Sequence, residues 1–277
     1  MSAISRRRIL VSIECDDRGK QALSWGRIVA AEIDGELVGV LQVMNTSAEH
    51  SRETAHEFAE QTATSARSWA AACGARLDDV CVVEGALQDE LVELAGVDDL
   101  VVVGVDHQVG ATGWALGSLP HELAHHLACP LVLIPPDEIP ALGSQVIVGV
   151  DGSEANDQVV SWAKRFAQTI RCPLVAIYAR EPIYETFDNA GNYGGEERHA
   201  VAEAQDDSVS LVEMTGEPED VLRAYAHDHA TFLTVIGVRD RGSLHGRLLG
   251  AVADHVIHEP YGPTAIIPDG LATTPEQ

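Results

Sequence analysis

Two of the 12 histidines, His121 and His125, stand four apart around Glu122 in the stretch HELAHH. H-E-x-x-H is the spacing with which one face of a helix offers two imidazoles to zinc while the glutamate acts as general base. A hydrolytic zinc site also needs a further protein ligand. The continuation LACPLVLIP carries no histidine at the H-x-x-G-x-x-H spacing, so catalytic zinc is not expected. HELAHH reads instead as a half-polar, solvated helix face. A fortuitous metal site on His121, His125 or His126 is the alternative.

A second group of residues suits a different chemistry. LTVIG ends at Gly237 and runs into VRDRGSLHGRLLGAVADHV, a glycine-rich loop ahead of a helix. The earlier LVVVG likewise ends at Gly104, and its loop closes at Gly117 and Ser118. A loop of this kind, between a strand end and a helix start, is where a phosphate would sit. The first amides of a helix have no intrahelical acceptor, and the helix dipole favours an anion. Glycines let the backbone approach closely. The bland alternative is that they merely allow a tight strand-to-helix turn.

The elements that must position these residues emerge from an internal repeat. LVVVGVDHQVGATGWALGSLPHELAHHLACPLVLIP (100–135) aligns without a gap on LTVIGVRDRGSLHGRLLGAVADHVIHEPYGPTAIIP (233–268). Gly104 meets Gly237, Gly117 meets Gly250, and Pro130 meets Pro263. Upstream, RRILVSIECDD (7–17) corresponds to SQVIVGVDGSE (144–154), and Glu84-Gly85 to Thr215-Gly216. The chain is thus two copies of a unit of about 130 residues. At the place of HELAHH the second copy reads DHVIHE, which loses the zinc spacing.

In the first copy ILVSI, LVGVLQV, VCVVE, LVVVG and LVLIP read as strands; in the second, VIVGV, LVAIYA, VSLVE, LTVIG and TAIIP. They are nearly continuous in Val, Leu and Ile, as strands covered on both faces are. Helical patterns lie between them, at 17–33, 51–74, 86–96 and 118–128 in the first copy. Strand–helix alternation predicts a parallel, doubly wound α/β sheet in each copy. Residues 1–137 are expected to form one domain, 138–144 a linker, 145–268 a second domain, and 269–277 a tail. EPIYETFDNAGNYGGEE (181–197) is predicted to be a mobile loop over the crevice.

Composition narrows the partners. A net charge of -25 argues against nucleic acid and against anionic membranes, both of which call for clustered Lys and Arg. Lysine occurs only at Lys20 and Lys164. That balance suits either a salt-adapted cytoplasm or a GC-rich genome that favours Arg codons. No apolar run is long enough for a transmembrane helix, and ILVSI is too short for a signal-peptide core, so a cytoplasmic protein is expected. Cys15, Cys73, Cys81, Cys129 and Cys172 form no C-x-x-C pair and read as free, mostly buried thiols.

On its glycine loops and first strands the chain resembles the universal stress protein family, in two tandem domains spanning nearly all of its length. Nucleotide-binding members carry G-x2-G-x9-G-[S/T], with an aspartate ending the first strand. The second copy has Gly237, Asp240 in place of the second glycine, then Gly250 and Ala251, with Asp151-Gly152-Ser153 after its first strand. The first copy has Gly104, His107 in place of the second glycine, an intact Gly117-Ser118, and Glu14-Cys15 after its first strand. The resemblance implies a five-stranded parallel sheet of order 3-2-1-4-5 in each domain. It also implies ATP, with or without Mg2+, the adenine near the first two strand ends and the phosphates on the glycine loop. By position Asp151, Ala179, Gly237, Arg239, Asp240, Gly250 and Ala251 would line the second site. Glu14, Val43, Gly104, His107, Gly117 and Ser118 would line the first.

The departures have physical consequences. Asp240 sets a carboxylate beside the phosphate oxygens, where like charges ~4 Å apart cost about 1 kcal/mol in water and several times that at a partly buried site. Arg239 and Arg241 oppose it. Ala251 keeps the backbone donor but loses the hydroxyl. The second site is therefore favoured. G-x-x-x-x-G-K-[S/T] is absent and neither loop holds a lysine, so an enzyme is not expected, at most slow ATP hydrolysis. Three readings follow: an ATP-binding stress-response regulator, a nucleotide-free scaffold acting by dimerisation or partner contact, and, least favoured, a zinc metallohydrolase. The resemblance further implies that LVLIP and TAIIP pair within one chain as a pseudo-dimer, with a homodimer of chains as a further step.

Overall fold

The computed structural model describes residues 6–43, 52–106, 118–137, 139–153, 156–180, 209–238 and 249–271, and only the backbone of 52–56. His107, Gly117, Arg239, Asp240 and the 181–197 segment lie outside the described residues. The chain divides into two compact units, Met1–Glu138 and Ile139–Gln277.

In the first unit, strands and helices alternate as the apolar runs demand. They are β1 (Arg8–Ser12), α1 (Asp17–Ile33), β2 (Glu36–Gln42), α2 (Arg52–Ala72), β3 (Asp79–Val83), α3 (Leu87–Leu94), β4 (Leu100–Gly104), α4 (Leu119–His126) and β5 (Leu131–Ile134). Hydrogen bonding orders its strands β3-β2-β1-β4-β5, with each pair parallel. The second unit contains β6 (Val146–Val150), α5 (Asn156–Thr169), β7 (Leu174–Arg180), β8 (Val209–Thr215), α6 (Pro218–Asp228), β9 (Leu233–Gly237), α7 (Ala251–His258) and β10 (Thr264–Ile267). Its order is β8-β7-β6-β9-β10, again parallel.

The central strands are buried because helices cover both faces: Ile9, Leu10, Val101 and Val102 in one unit, and Val146, Ile147 and Val148 in the other, have no exposed surface. α5 turns Val159, Trp162, Ala163, Phe166 and Ala167 inward, an i, i+3, i+4, i+7, i+8 stripe. α1 does the same with Ala22, Leu23, Trp25, Gly26, Val29 and Ala30. Each apolar side chain taken fully from water is worth about 1.5–3 kcal/mol, so these stripes dock the helices. Trp25 and Trp162 occupy matching helix positions and both are core residues, at 0% and 6% exposure.

α1 starts on its cap. Asp16 is in an extended conformation and its Oδ1 accepts from the Gly19 amide at 2.9 Å. It stops at Asp34, whose φ of 49° is left-handed and whose N–H donates to Ala30 O. At the opposite end of β1 the chain is pinned by charge. Asp99, just before β4, accepts from the Arg8 guanidinium and from the Arg8 amide, and its side chain is 7% exposed. This joins the start of β1 to the start of β4.

One expectation needs correction. Of the cysteines, only Cys129 and Cys172 are buried; Cys73 and Cys81 are half-buried and Cys15 is exposed. Cys15 lies in the polar turn beyond β1, outside the apolar run that fills the core. Burial pushes the Cys129 thiol up to about 12, which keeps it protonated and unreactive.

Candidate functional site

In an open doubly wound sheet the ligand crevice lies at the carboxyl ends of the strands where their order reverses. In the second unit that place is between β6 and β9, which pair Val148 with Val235. β6 ends at Val150 and the chain turns through Asp151 and Gly152, the latter at φ 75°. One oxygen of Asp151 accepts from the Ser153 amide at 2.9 Å and from the Asn156 side chain at 2.6 Å. Both donors lie around the start of α5, so the carboxylate is held half-buried at the strand end.

Across the crevice β9 ends at Gly237. Val238 donates to Ile267 O at 3.0 Å, which continues the ladder by one residue, and Gly250 then donates back to Val238 O at 2.9 Å. That bond closes the glycine loop on itself. Gly250 is the N-cap of α7 and Ala251 its first residue. Intrahelical bonding begins with Asp254, which donates to Gly250 O, so the amides of Ala251, Val252 and Ala253 precede the first intrahelical donor. Asp151, Gly237, Gly250 and Ala251 thus gather at one end of the sheet, with Ala179 near the end of neighbouring β7.

The first unit builds the same end differently. Glu14 follows β1 and is paired with Arg18 at 2.7 Å. Arg18 also holds Asp16 at 2.7 Å and Asp106, beyond β4, at 3.4 Å. Gly104 ends β4, and a Cβ there would stand 2.7 Å from the Arg18 backbone. This glycine is required by the approach of α1. Ser118 is the N-cap of α4, but its hydroxyl is buried and has no hydrogen-bond partner among the described residues.

Val43 is displaced from its expected role. β1 pairs Val11 with Gly39, and β6 pairs Val148 with Ala176. Counting along the strands, Ala179 corresponds to Gln42, and Val43 corresponds to Arg180. Gln42 donates its side-chain amide to Gly85 O at 2.8 Å. Apolar runs locate a strand but do not set the offset between two of them, so the register had to come from the ladder.

Burial pushes the Glu14 carboxyl above its ordinary value, with Arg18 pulling it down only in part. For Asp16 burial works upward, but the Gly19 amide and the Arg18 side chain outweigh it and hold the carboxyl below its ordinary value. An acid whose folded value is raised contributes stability below its ordinary 4.5, and that contribution is lost as pH rises through the folded value. Glu14→Gln removes this loss. Its melting temperature relative to the native chain should therefore rise between pH 4 and pH 7; a constant difference across that range would contradict the assignment.

HELAHH lies on α4, with His121 and His125 half-buried on one face and their rings 4.5 Å apart. Glu122 turns toward His126, at 3.6 Å. Among the described residues no group of three or more His, Cys, Asp or Glu side chains could hold a metal ion. Nor is any helix among them long and apolar enough to cross a membrane.

A sequence model of the universal stress protein family matches residues 144–268, the second unit from just before β6 to just past β10. Residues 144–268 are therefore similar to the universal stress protein family. Universal stress protein Rv1996 of Mycobacterium tuberculosis is 26% identical over 151 residues, which cover 45% of this chain and 48% of that protein. The chain therefore spans about half the length of such curated relatives. Universal stress protein Rv2623 of the same organism is 25% identical over 202 residues, 69% of this chain and 68% of that protein. A crystal structure of a universal stress protein from Archaeoglobus fulgidus DSM 4304 has a TM-score of 0.68 at 17% identity, covering 95% of this chain and 98% of that one. At that identity the likeness concerns the fold, and it extends over both units. In each unit the α/β core presents strand ends and helix starts at one edge of the sheet.

Proposed function

We propose that the chain is a tandem universal stress protein that binds an adenine nucleotide, ATP, in the crevice of its second unit and acts as a stress-response regulator. The observation that carries this reading is the facing pair at the ends of β6 and β9. Asp151 is fixed there by two donors, and Gly250 starts α7 beside it. A carboxylate at the first strand end suits a ribose or base donor. Helix-start amides next to glycine suit phosphate oxygens. Mg2+ accompanies ATP as the counter-ion of its phosphates. No side chain described at this crevice is set as general base or nucleophile, so the proposed role is binding, with slow hydrolysis at most. Five free cysteines agree with a reducing, cytoplasmic setting.

Gly250→Val should weaken ATP binding at least tenfold, because a branched side chain would stand where the phosphate must approach the backbone. Equilibrium dialysis checks this, and unchanged affinity places the site elsewhere. Mass spectrometry of gently purified, then denatured protein should release ATP or AMP.

The second reading is a nucleotide-free scaffold. It draws support from Asp240 and His107, which stand where the family's motif has glycine. In that case no nucleotide is carried and function passes through assembly. Pairing of the strands LVLIP and TAIIP within a chain, and of two chains as a homodimer, belongs to either reading and is supported by their apolar sequences, which would be a liability as free edges. Sedimentation equilibrium decides the chain count. Zinc at one equivalent by elemental analysis would instead favour the metallohydrolase.

A further inference from the structure

We propose that Arg18 closes the crevice of the first unit to phosphate-bearing ligands, so that each chain holds one nucleotide, in the second unit. This rests on the nucleotide reading above and assigns opposite roles to the two crevices.

The first argument is geometric. Arg18 lies in the first turn of α1, and its guanidinium reaches Glu14 past β1 at 2.7 Å and Asp106 past β4 at 3.4 Å, with Asp16 at 2.7 Å. β1 and β4 are the neighbours at which the strand order turns back. One side chain therefore spans the ligand position from wall to wall. Gly104 opens nothing for a ligand, since the space a Cβ would take is filled by the Arg18 backbone at 2.7 Å.

The second argument is charge. In the first crevice three carboxylates, Glu14, Asp16 and Asp106, face one guanidinium. The repeat alignment, anchored by Trp25 with Trp162 and Gly104 with Gly237, places Asp151, Ser153, Ala155 and Arg239 at the equivalent positions. At these four positions the sequence has one carboxylate and one guanidinium. A phosphate entering the first crevice would have to displace an arginine from its ion pairs and would then meet carboxylates in excess. In the second, Arg18 has become alanine and Asp106 has become arginine, so the plug is gone by residue type and the carboxylate of Asp240 is opposed by Arg239 and Arg241.

Equilibrium dialysis of the full chain against ATP, after carried-over nucleotide is removed, tests this. The native chain should saturate at one ATP, and Gly250→Val should leave no second class of site. Saturation at two, or one equivalent remaining in Gly250→Val, overturns the proposal. The triple variant Asp16→Ser, Arg18→Ala, Asp106→Arg gives the first crevice the residues of the second at these three positions and should raise saturation to two. If it stays at one, Arg18 is not the cause of closure. A native chain that binds none while the triple variant binds one leaves the closure standing and removes the nucleotide reading of the second unit. If neither binds, both fall. Circular dichroism checks that the triple variant is folded; should it not be, Arg18→Gln with Asp106→Asn carries the same expected gain.

Discussion

Gly19→Ala is expected to destabilise the first unit by more than about 4 kcal/mol, in the range reserved for severe structural conflict. The sign is unusual, since alanine in a helix interior is ordinarily better than glycine by about 1 kcal/mol. Here a Cβ would stand 1.8 Å from the Glu14 carbonyl oxygen, 2.8 Å from its carbon and 2.9 Å from its nitrogen. All three are main-chain atoms, so no rotamer change relieves the clash. Moving Glu14 disturbs the chain just past β1, and moving Gly19 breaks the hydrogen bond its amide donates to Asp16 Oδ1, which caps α1. Urea unfolding, with hydrogen exchange to localise the loss to the first unit, measures the effect. A variant as stable as the native chain would show that the first turn of α1 relaxes freely. It would also weaken the case that this turn is held tightly enough to close the crevice.

Asp99→Ala should cost about 3–5 kcal/mol, the usual consequence of removing one partner from a buried ion pair. The carboxylate accepts from the Arg8 amide at 3.1 Å, from Arg8 Nε at 3.1 Å and Nη2 at 2.5 Å, and from the Gly96 amide at 2.8 Å. Alanine leaves two amides and a guanidinium without these acceptors in a site where the Asp99 side chain is only 7% exposed. Asp99→Asn keeps part of the geometry without the charge and should cost less. The second unit has Gln145 and fully buried Phe232 at the equivalent positions, with the Phe232 amide donating to Gln145 O at 2.8 Å. An uncharged solution to the same join thus already exists in this chain. The double swap Arg8→Gln, Asp99→Phe should recover much of the loss, because it removes both charges together and installs the buried Phe that the second unit packs at this join. Thermal melting of the three variants against the native chain would show the order; equal losses in all three would mean the charge pair is not the source.

Much of the fold was legible in the chain itself. VIVGV and LTVIG coincide with β6 and β9, and the pattern at 17–33 coincides with α1. The reason is local: a strand covered on both faces has no polar side to place, and a docked helix repeats its apolar residues every three or four positions. The duplication was legible for the same reason, since each copy preserves its own periodicity and its glycines. The register was not. Val43 was offset by one from Ala179's true counterpart because an apolar run does not say which residue faces which. Cysteine burial failed too, as Cys15 sits three residues beyond β1 and is exposed.

Residue order and type alone determined the class of each unit, the repeat, and the glycines and acids that end the strands. Only the tertiary structure decided what those residues touch. Gly104 reads on paper as a glycine of a tight turn, yet a helix backbone packs against it. Glu14 looked like a longer Asp151, yet it is bonded to an arginine that also reaches Asp106. Periodicity is a property of neighbours along the chain, whereas an ion pair bridging two strand ends exists only once the sheet has brought those ends together.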